Sequence, residues 1–327
     1  MTRKFLPLAS LLLLTMATSP LWAQQRVRIN WTAVTGAQSG MHMAQQEGLF
    51  KKYGLDVELI HIPSSSRGIQ AILANEIQFS FMDGNNEVQA NLKGANLALV
   101  AGATNRQVFS LMAKPDIKKI ADLRGKKIGI TRIGSSTHTS ALFALSSAGL
   151  RPSDYQILPL MEVPNILTAL IAGQIDAGIV SPPTNSRARK AGFNELMNLA
   201  KDGPEYVSVA VGTSRTYIRG NDDIVRRVVR AYAEGVYTFK TNKPAALRMI
   251  QNQLKVKEPD IQEDTYNQFR EYLEYPPYVS RKGMEAVIAD VAETAPQAKS
   301  AKPDDFIDMR FVSELDKEGF FKKLAVK

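Results

Sequence analysis

The feature that most constrains the fold is an alternation of strand and helix patterns that begins near residue 26 and starts again after residue 106. In the first round, period-two spacing of apolar residues predicts strands, and helical spacing predicts helices between them. The strands are predicted at 26–33, 55–62 and 77–82, and the helices at 40–50, at 65–74 and after Gly84. Successive strand-helix units imply parallel strands joined by right-handed crossovers. This part of the chain therefore predicts an α/β sheet covered by helices.

The same alternation predicts a second α/β unit in the middle of the chain. Its strands are expected at 107–113, 127–131, 155–160, 175–180 and 206–212, and its helices at 135–148, 165–171 and 183–190. Beyond Asp222 the apolar spacing is helical almost throughout, as in the stripe formed by Val225, Val228, Val229, Tyr232 and Val236. The pattern predicts two α/β lobes followed by a helical C-terminal region.

The length of the chain also favours two domains, because 327 residues are too many for a single core. The strands at 107–113 and 206–212 are the natural places for the chain to cross between the lobes. The first lobe then contains residues 24–108 and 208–327, and the second contains residues 109–207. Two crossing strands would act as a hinge about which a cleft closes on a ligand.

The amino terminus has the pattern of a secretory signal peptide over residues 1–23. Arg3 and Lys4 precede an apolar run at 5–16, which is too short for the ~20 residues of a membrane-spanning helix. Ala23 supplies a small residue before the expected cleavage site, so we predict cleavage after Ala23 rather than a retained anchor. The mature protein is expected in the periplasm.

Composition argues against several classes of function. Without any cysteine the chain has no disulfide, thiolate nucleophile, cysteine-ligated metal or cysteine-linked lipid. The 41 basic and 32 acidic residues give a net charge of +9, but the basic residues are scattered and do not alternate with aromatic residues as in a nucleic-acid platform. His42, His61 and His138 lie far apart, without the spacing of a metal site. We expect a monomer that binds no nucleic acid, metal or other cofactor.

Three segments of the sequence carry a family resemblance. They read EGLFKKYGLDVE at 47–58, IADLRGKKIG at 120–129 and LIAGQIDA at 170–177. In this order they resemble the nitrate/sulfonate/taurine group of periplasmic binding proteins, which also includes binders of thiamine-pyrimidine precursors. The resemblance implies the type II periplasmic-binding fold and delivery of a small-molecule ligand to the permease of an ABC importer.

The ligand is expected at the loops that follow the strands, because open α/β sheets place their crevice at the carboxyl ends of the strands. These loops lie at 31–40, 63–68 and 82–86 in the first lobe and at 132–137, 162–165 and 181–184 in the second. The candidate ligand-binding residues are Trp31, Ser39, Gly40, His42, Ser65, Ser66, Asp83, Ser135, Ser136, Thr137, Asn165 and Pro182.

Serine and threonine residues precede three of the predicted helices. Free N–H groups and a partial positive charge at a helix N-terminus favour an oxyanion. The alternative is that such a serine caps its helix and contacts nothing else. For Ser135, Ser136 and Thr137, which follow Gly134, we favour the oxyanion site, and the family resemblance points to the same loop.

Asp83, Trp31 and His42 each have two interpretations. Asp83 either caps the next helix or faces the cleft, where it would disfavour a lone nitrate and favour a ligand with an amine or another hydrogen-bond donor. Trp31 either stacks on a planar ligand or packs in the core. His42 either donates a hydrogen bond to a ligand or is a half-exposed helix residue.

Two other classes of function compete with solute capture for import. Pyrimidine synthases that sacrifice their own histidine resemble the chain in lobe architecture, but their cysteine-rich iron segment is absent here. The sequence also has no Gly-x-Ser-x-Gly elbow and no phosphate loop. We therefore predict a binding protein rather than an enzyme, while a soluble sensor that presents its ligand to a receptor stays open. Sulfonates, taurine-like zwitterions, nitrate and small heterocycles stay open as ligands.

Overall fold

The structure is a computed structural model that describes residues 25–325. The predicted signal peptide and its cleavage after Ala23 lie outside the described residues. Among the described residues, none of the helices combines the length and the apolarity needed to cross a membrane.

The first sheet has five strands in the order β2-β1-β3-β10-β4. Its strands are β1 (Gln25–Trp31), β2 (Leu55–His61), β3 (Phe79–Met82), β4 (Leu97–Arg106) and β10 (Glu205–Ser214). β1 pairs in parallel with β2 and β3, whereas β10 runs antiparallel between β3 and β4. The helices between these strands are α1 (Ser39–Gln46), α2 (Leu49–Lys52), α3 (Ser65–Leu73) and α4 (Gly84–Leu92).

The second sheet also has five strands, in the order β7-β6-β8-β5-β9. Its strands are β5 (Ser110–Ala113), β6 (Lys127–Ile130), β7 (Gln156–Pro159), β8 (Ala177–Val180) and β9 (Asn194–Asn198). β6 is parallel to β7 and β8, and β5 is antiparallel to β8 and β9. The helices of this part are α5 (Ser136–Ser146), α6 (Val163–Ile171), α7 (Thr184–Lys190) and α8 (Leu199–Asp202).

Helices make up most of the chain after β10, as the apolar spacing predicts. They are α9 (Arg215–Gly220), α10 (Asp222–Thr241), α11 (Lys243–Gln253), α12 (Pro259–Tyr272), α13 (Arg281–Thr294), α14 (Arg310–Lys317) and α15 (Phe320–Ala325). The predicted apolar stripe of α10 is buried, and α10 packs closely against α1. The C-terminal helices therefore complete the core of the first lobe rather than forming a third domain.

The two lobes and the helical C-terminal region confirm the predicted fold class, and the structure refines how the lobes are connected. The predicted strand at 107–113 begins only at Ser110, so Gln107, Val108 and Phe109 form the link between β4 and β5. The predicted strand at 206–212 lies inside β10, which pairs only within the first sheet. The chain thus crosses between the sheets in the segments after Arg106 and after Asn198 rather than within the two predicted strands.

Two strands, β4 and β9, are not predicted by the apolar pattern, and the predicted helix at 40–50 is divided. β4 is buried over nine of its ten residues, so it lacks the period-two alternation that marks a half-exposed strand. All five residues of β9 are half-buried, so it also shows no alternation. The helix divides because Gly48 has a left-handed backbone with φ 67°, which separates α1 from α2.

Candidate functional site

A cleft lies between the two sheets, with a volume of about 850 Å³ including the part that is open to solvent. Its walls contain residues from the loops that follow β1, β2 and β3 in the first lobe and β6, β7 and β8 in the second. Each of the six loops expected to meet a ligand therefore contributes to one cavity. This placement follows from the parallel strands, whose carboxyl ends all lie at the same edge of their sheet.

Five of the twelve candidate residues line this cleft, namely Ser65, Asp83, Ser135, Ser136 and Thr137. Ser65 and Asp83 come from the first lobe, and the other three come from the start of α5 in the second. The structure thus places hydroxyl groups and one carboxylate from both lobes around one space. Their part in ligand binding stays a prediction.

The hydroxyl groups at the start of α5 form a closed triangle with Thr131. Thr131 Oγ1 lies 3.0 Å from Ser135 Oγ and 2.8 Å from Thr137 Oγ1, and Ser135 Oγ lies 2.9 Å from Thr137 Oγ1. Ser135 holds the N-cap position of α5, but its side chain makes no capping hydrogen bond. It donates instead to the carbonyl oxygen of Arg132 at 2.7 Å. Capping therefore does not account for Ser135.

Asp83 performs both of the tasks considered for it. Its Oδ1 accepts a hydrogen bond from the backbone N–H of Asn86 at 2.8 Å, which caps α4, and the residue also lines the cleft. Ser65 Oγ accepts from the backbone N–H of Asp83 at 2.7 Å. Burial raises the pKa of the Asp83 carboxyl to about 6, although the hydrogen bonds with Asn86 and Ser65 oppose this shift. A hydrogen-bond donor on a ligand would favour the charged form.

The charged groups in the cleft wall are unusual for an anion-binding site. Among the described lining residues there are two acids, Asp83 and Glu162, and one histidine, His61, but neither lysine nor arginine. Any negative charge on a ligand would have to be stabilised by hydroxyl groups and helix N-termini. The start of α5 and the start of α6, which follows Glu162, both border the cavity.

Trp31 and His42 stand behind the cleft wall rather than in it. Trp31 stacks on the cleft-lining His61 with ring centroids 3.9 Å apart, and it meets the edge of His42 at 5.3 Å. His42 is only 3% exposed. Burial is the main reason that its pKa is lowered to about 4, and the charge of the nearby His61 lowers it further. Trp31 therefore supports the orientation of His61, and His42 is neutral near pH 7.

The remaining candidates lie outside the cavity. Ser39 is fully buried, and its hydroxyl has no hydrogen-bond partner among the described residues. Gly40 faces Val236 in α10. Ser66 is exposed, Asn165 donates its amide to the carbonyl of Leu160 at 3.0 Å, and Pro182 is buried beside the cleft-lining Ser181.

Several residues of the cleft wall are not among the twelve predicted site residues. They include Thr32, Thr35, Gln38, His61, Phe109, Thr131 and Glu162. Thr131 and His61 could have been found from position alone, since each stands at the carboxyl end of a predicted strand. Phe109 could not, because it belongs to a link that the pattern assigned to a strand.

The two lobes also touch outside the cavity. Asn86 Nδ2 in α4 donates to the carbonyl oxygen of Gly134 at 2.8 Å. Elsewhere α7 of the second lobe meets α12, where Arg189 and Ser186 bind Asp264 at 2.6 and 2.5 Å. Lys190 lies 2.6 Å from Asp260 in the same interface. These contacts hold the lobes together around the cleft.

Two α/β sheets that share a cleft at the carboxyl ends of their parallel strands define the two-lobed fold of periplasmic binding proteins. The chain belongs to the NMT1/THI5-like family, whose model matches residues 37–246.

Comparison with known proteins supports this class. The taurine-binding periplasmic protein of Escherichia coli is 28% identical over 70% of this chain and 71% of its own length. A protein of Bordetella bronchiseptica has the same fold with a TM-score of 0.81 and 19% identity, over 90% of this chain and 98% of its own. The alkanesulfonate-binding protein SsuA of Xanthomonas axonopodis, solved with MOPS, has a TM-score of 0.69 and 20% identity over 85% and 93% of the two chains.

The fold is also found in an enzyme. The desulfurization enzyme DszB matches with a TM-score of 0.65 and 14% identity, over 90% of this chain and all of its own. Membership of this fold therefore does not by itself separate binding from catalysis.

Proposed function

We propose that the protein captures a small solute in the periplasm, encloses it between its lobes and delivers it to an ABC importer. The observation that carries this proposal is a single cavity lined by loops of both lobes, with contacts between the lobes outside it. A solute that touches both walls binds the closed form better than the open form, and that difference is what drives closure.

The preferred solute is a small zwitterion that joins an oxyanion to an amine. The hydroxyl groups of Thr131, Ser135 and Thr137 at the start of α5 suit the oxyanion, and the Asp83 carboxylate suits the amine. A purely anionic solute fits less well, because the described wall offers it two carboxylates and no lysine or arginine. Similarity to a taurine-binding protein agrees with this class.

A second candidate is a small heterocycle with an exocyclic amine. The cavity also contains Phe109, Met82 and Met161, whose apolar surfaces suit a flat ring, and Asp83 would still receive the amine hydrogens. The zwitterion and the heterocycle both carry an amine that donates to Asp83. They differ in that only the zwitterion also carries an oxyanion.

Binding is preferred to catalysis because of the bonding of the cleft hydroxyl groups. Those of Thr131, Ser135 and Thr137 interact with one another and with backbone atoms, and no basic side chain within residues 25–325 accepts a hydrogen bond from them. A nucleophilic hydroxyl requires such a base within hydrogen-bond reach.

A thermal-shift panel tests the proposal. Taurine, an alkanesulfonate, nitrate and an aminopyrimidine would each be added to the purified mature protein, with matched ionic strength. A solute at ~100 times its Kd should add about 2.7 kcal/mol of stability. A shift with taurine alone supports the zwitterion, and a shift with the aminopyrimidine alone supports the heterocycle. A shift with nitrate alone contradicts the role of Asp83, and no shift with any compound contradicts capture.

A further inference from the structure

Thr32 follows β1 and lines the cleft from the first lobe, and most of its polar atoms are already bound. Its backbone N–H donates to Gln38 Oε1 at 3.0 Å, and its carbonyl oxygen accepts from the backbone N–H of Ser64 at 3.3 Å. Its Oγ1 accepts from Gln38 Nε2 at 2.8 Å. Within residues 25–325 the hydroxyl hydrogen of Thr32 meets no acceptor, so it is the one polar group that Thr32 can offer to a solute.

The Gln38 amide fixes the direction of this hydroxyl group. A backbone N–H can only donate, so the Gln38 atom that meets the N–H of Thr32 is the carbonyl oxygen. The other Gln38 atom, which meets Thr32 Oγ1, is then the NH2 donor, and the hydrogen of the Thr32 hydroxyl has to point away from it. Gln38 is only 1% exposed, so its amide is held in this orientation.

The hydroxyl cluster at the start of α5, in the second lobe, has no such spare hydrogen. Thr131, Ser135 and Thr137 hold three hydroxyl hydrogens between them, and that of Ser135 goes to the carbonyl oxygen of Arg132. The other two lie within the three oxygen–oxygen contacts of the cluster. The cluster therefore donates to a solute only by giving up one of its own hydrogen bonds. An oxyanion at the start of α5 needs a donor from another part of the cavity.

We propose that Thr32 is the residue of the first lobe that recognises the oxyanion of the solute, and that Gln38 is its positioning residue. The inference rests on the proposed capture of a zwitterion. Since Gln38 already donates to the Thr32 hydroxyl, that hydroxyl presents its hydrogen to the cavity, which favours a sulfonate or carboxylate oxygen over an amine. An oxyanion bound in this way touches Thr32 in one lobe and the start of α5 in the other, so it favours the closed form.

Thr35 is the rival donor in the same loop, because it also lines the cleft. Its Oγ1 accepts from the backbone N–H of Ala37 at 3.4 Å, which is a longer contact than the 2.8 Å bond between Gln38 and Thr32. Gln38 holds both the backbone and the side chain of Thr32, so the hydroxyl of Thr32 is the better oriented of the two. A donor whose direction is already set loses less freedom when the solute binds.

Calorimetric titration with taurine at pH 8 tests the role of the Thr32 hydroxyl. Thr32→Val removes the hydroxyl group and keeps the shape of the side chain, so Kd should rise roughly ten-fold. Thr32→Ser keeps the hydroxyl group and should stay within about three-fold of the wild type. Thr35→Val should raise Kd less than Thr32→Val does. Thr241→Val is the matched control, because the exposed Thr241 hydroxyl donates to the carbonyl oxygen of Tyr237 in α10 and lies outside the cleft.

Gln38→Glu separates positioning from direct contact with the solute. At pH 8 a carboxylate at position 38 still accepts from the N–H of Thr32, but it also accepts from the Thr32 hydroxyl, whose hydrogen then turns away from the solute. The new charge also repels an oxyanion, and the same substitution in the Thr32→Val background measures that repulsion alone. We expect Gln38→Glu to raise Kd roughly ten-fold more in the wild type than in Thr32→Val. The melting temperature of each variant checks that it is folded.

Three outcomes of these titrations would overturn the inference. Equal effects of Gln38→Glu in the two backgrounds would mean that Gln38 does not act through Thr32. An affinity of Thr32→Ser as low as that of Thr32→Val would mean that packing, and not the hydroxyl group, is what the solute needs. A larger loss in Thr35→Val than in Thr32→Val would assign the donor to Thr35.

The thermal-shift panel separates these failures from failure of the proposed function. A shift with taurine together with unchanged affinity in Thr32→Val leaves solute capture standing and removes only the assignment of Thr32. A shift with the aminopyrimidine alone also removes that assignment, because this ring carries no oxyanion. A panel without any shift removes both solute capture and the role of Thr32.

Discussion

Asn86 Nδ2 donates to the carbonyl oxygen of Gly134 over 2.8 Å, and this bond joins the two lobes at the mouth of the cleft. The backbone N–H of the same Asn86 donates to Asp83, which lines the cavity, and Gly134 directly precedes the hydroxyl cluster at Ser135. One residue thus connects the wall of the cavity to the contact between the lobes. Changes in that contact should appear as changes in affinity for the solute.

Asn86→Ala should weaken binding of the solute by favouring the open form. A hydrogen bond of this kind contributes about 1 kcal/mol, so we expect Kd to rise about five-fold. The radius of gyration of the solute-free protein, measured by small-angle scattering, should increase as the open form becomes more populated. Gln89→Ala is the control, because the Gln89 amide bonds within α4 to Asn85 and does not cross between the lobes. An unchanged Kd and radius would show that this bond does not contribute to closure.

The double variant Ser135→Ala, Ser136→Ala should lose affinity while keeping its fold. The Ser135 side chain makes no capping hydrogen bond to α5, so its removal costs the helix little. Loss of hydroxyl groups from the cavity should raise Kd roughly ten-fold by isothermal titration calorimetry. Ser146→Ala at the other end of α5 serves as a control of equal chemistry. If affinity is unchanged in the folded double variant, the oxyanion does not bind at this helix.

Asp83→Asn should increase the stability of the folded protein and weaken its binding of the solute. Burial raises the pKa of Asp83 to about 6 in the folded protein, above its usual value of 3.8. Between these two pH values the folded protein binds more protons than the unfolded one. Asp83 therefore lowers the free energy of unfolding as pH rises from about 4 to about 6, and the full loss of stability persists above pH 6. Asparagine keeps the cap and removes the charge, so the variant should gain up to about 3 kcal/mol near pH 7.

Two comparisons test this assignment of Asp83. The gain in stability of the variant over the wild type, measured by urea unfolding, should shrink towards zero near pH 4. His42, whose pKa is lowered to about 4 by burial and by His61, acts over much of the same range with the opposite sign, but it contributes equally to both proteins. The variant should also bind an amine-bearing solute about ten-fold more weakly. A variant with unaltered affinity would place the donor group of the solute elsewhere.

The sequence is sufficient to predict the fold and the loops that line the cavity, but not the direction of every side chain. Strand ends are fixed by apolar spacing, so the cavity loops were correctly located along the chain. Ser39 shows the limit of this reasoning. The chain makes a tight turn at Gly36–Gln38 before α1, and this turn brings Thr35 and Gln38 to the cavity and directs Ser39 into the core.

Contacts between distant parts of the chain cannot be predicted from the sequence, for a different reason. Asp264 in α12 binds Arg189 in α7 across 75 positions, and the sequence shows only that each helix carries charges. Such pairing depends on how the C-terminal helices dock on the first lobe, which local spacing does not specify. Asp83 likewise combines two features that the sequence presents as alternatives, because a residue at a helix N-cap can also face a cavity.

Gly40 and Gly235 provide a test of the core that supports the cavity. A Cβ on Gly235 would lie 2.1 Å from the carbonyl oxygen of Gly40, so α1 and α10 are in direct backbone contact at this point. Gly235→Ala should force the helices apart and cost about 3 kcal/mol or more of stability. Gly220→Ala is the matched control, since a Cβ at the end of α9 would meet no atom within 4 Å.

Gly40→Ala, which would bring a Cβ to 2.5 Å from Val236, should be destabilised in the same way. Because Gly40 lies outside the cavity, the folded fraction of that variant should keep its affinity for the solute within about two-fold. Loss of affinity without loss of stability would mean that Gly40 contacts the solute after all, as its position after β1 first suggested.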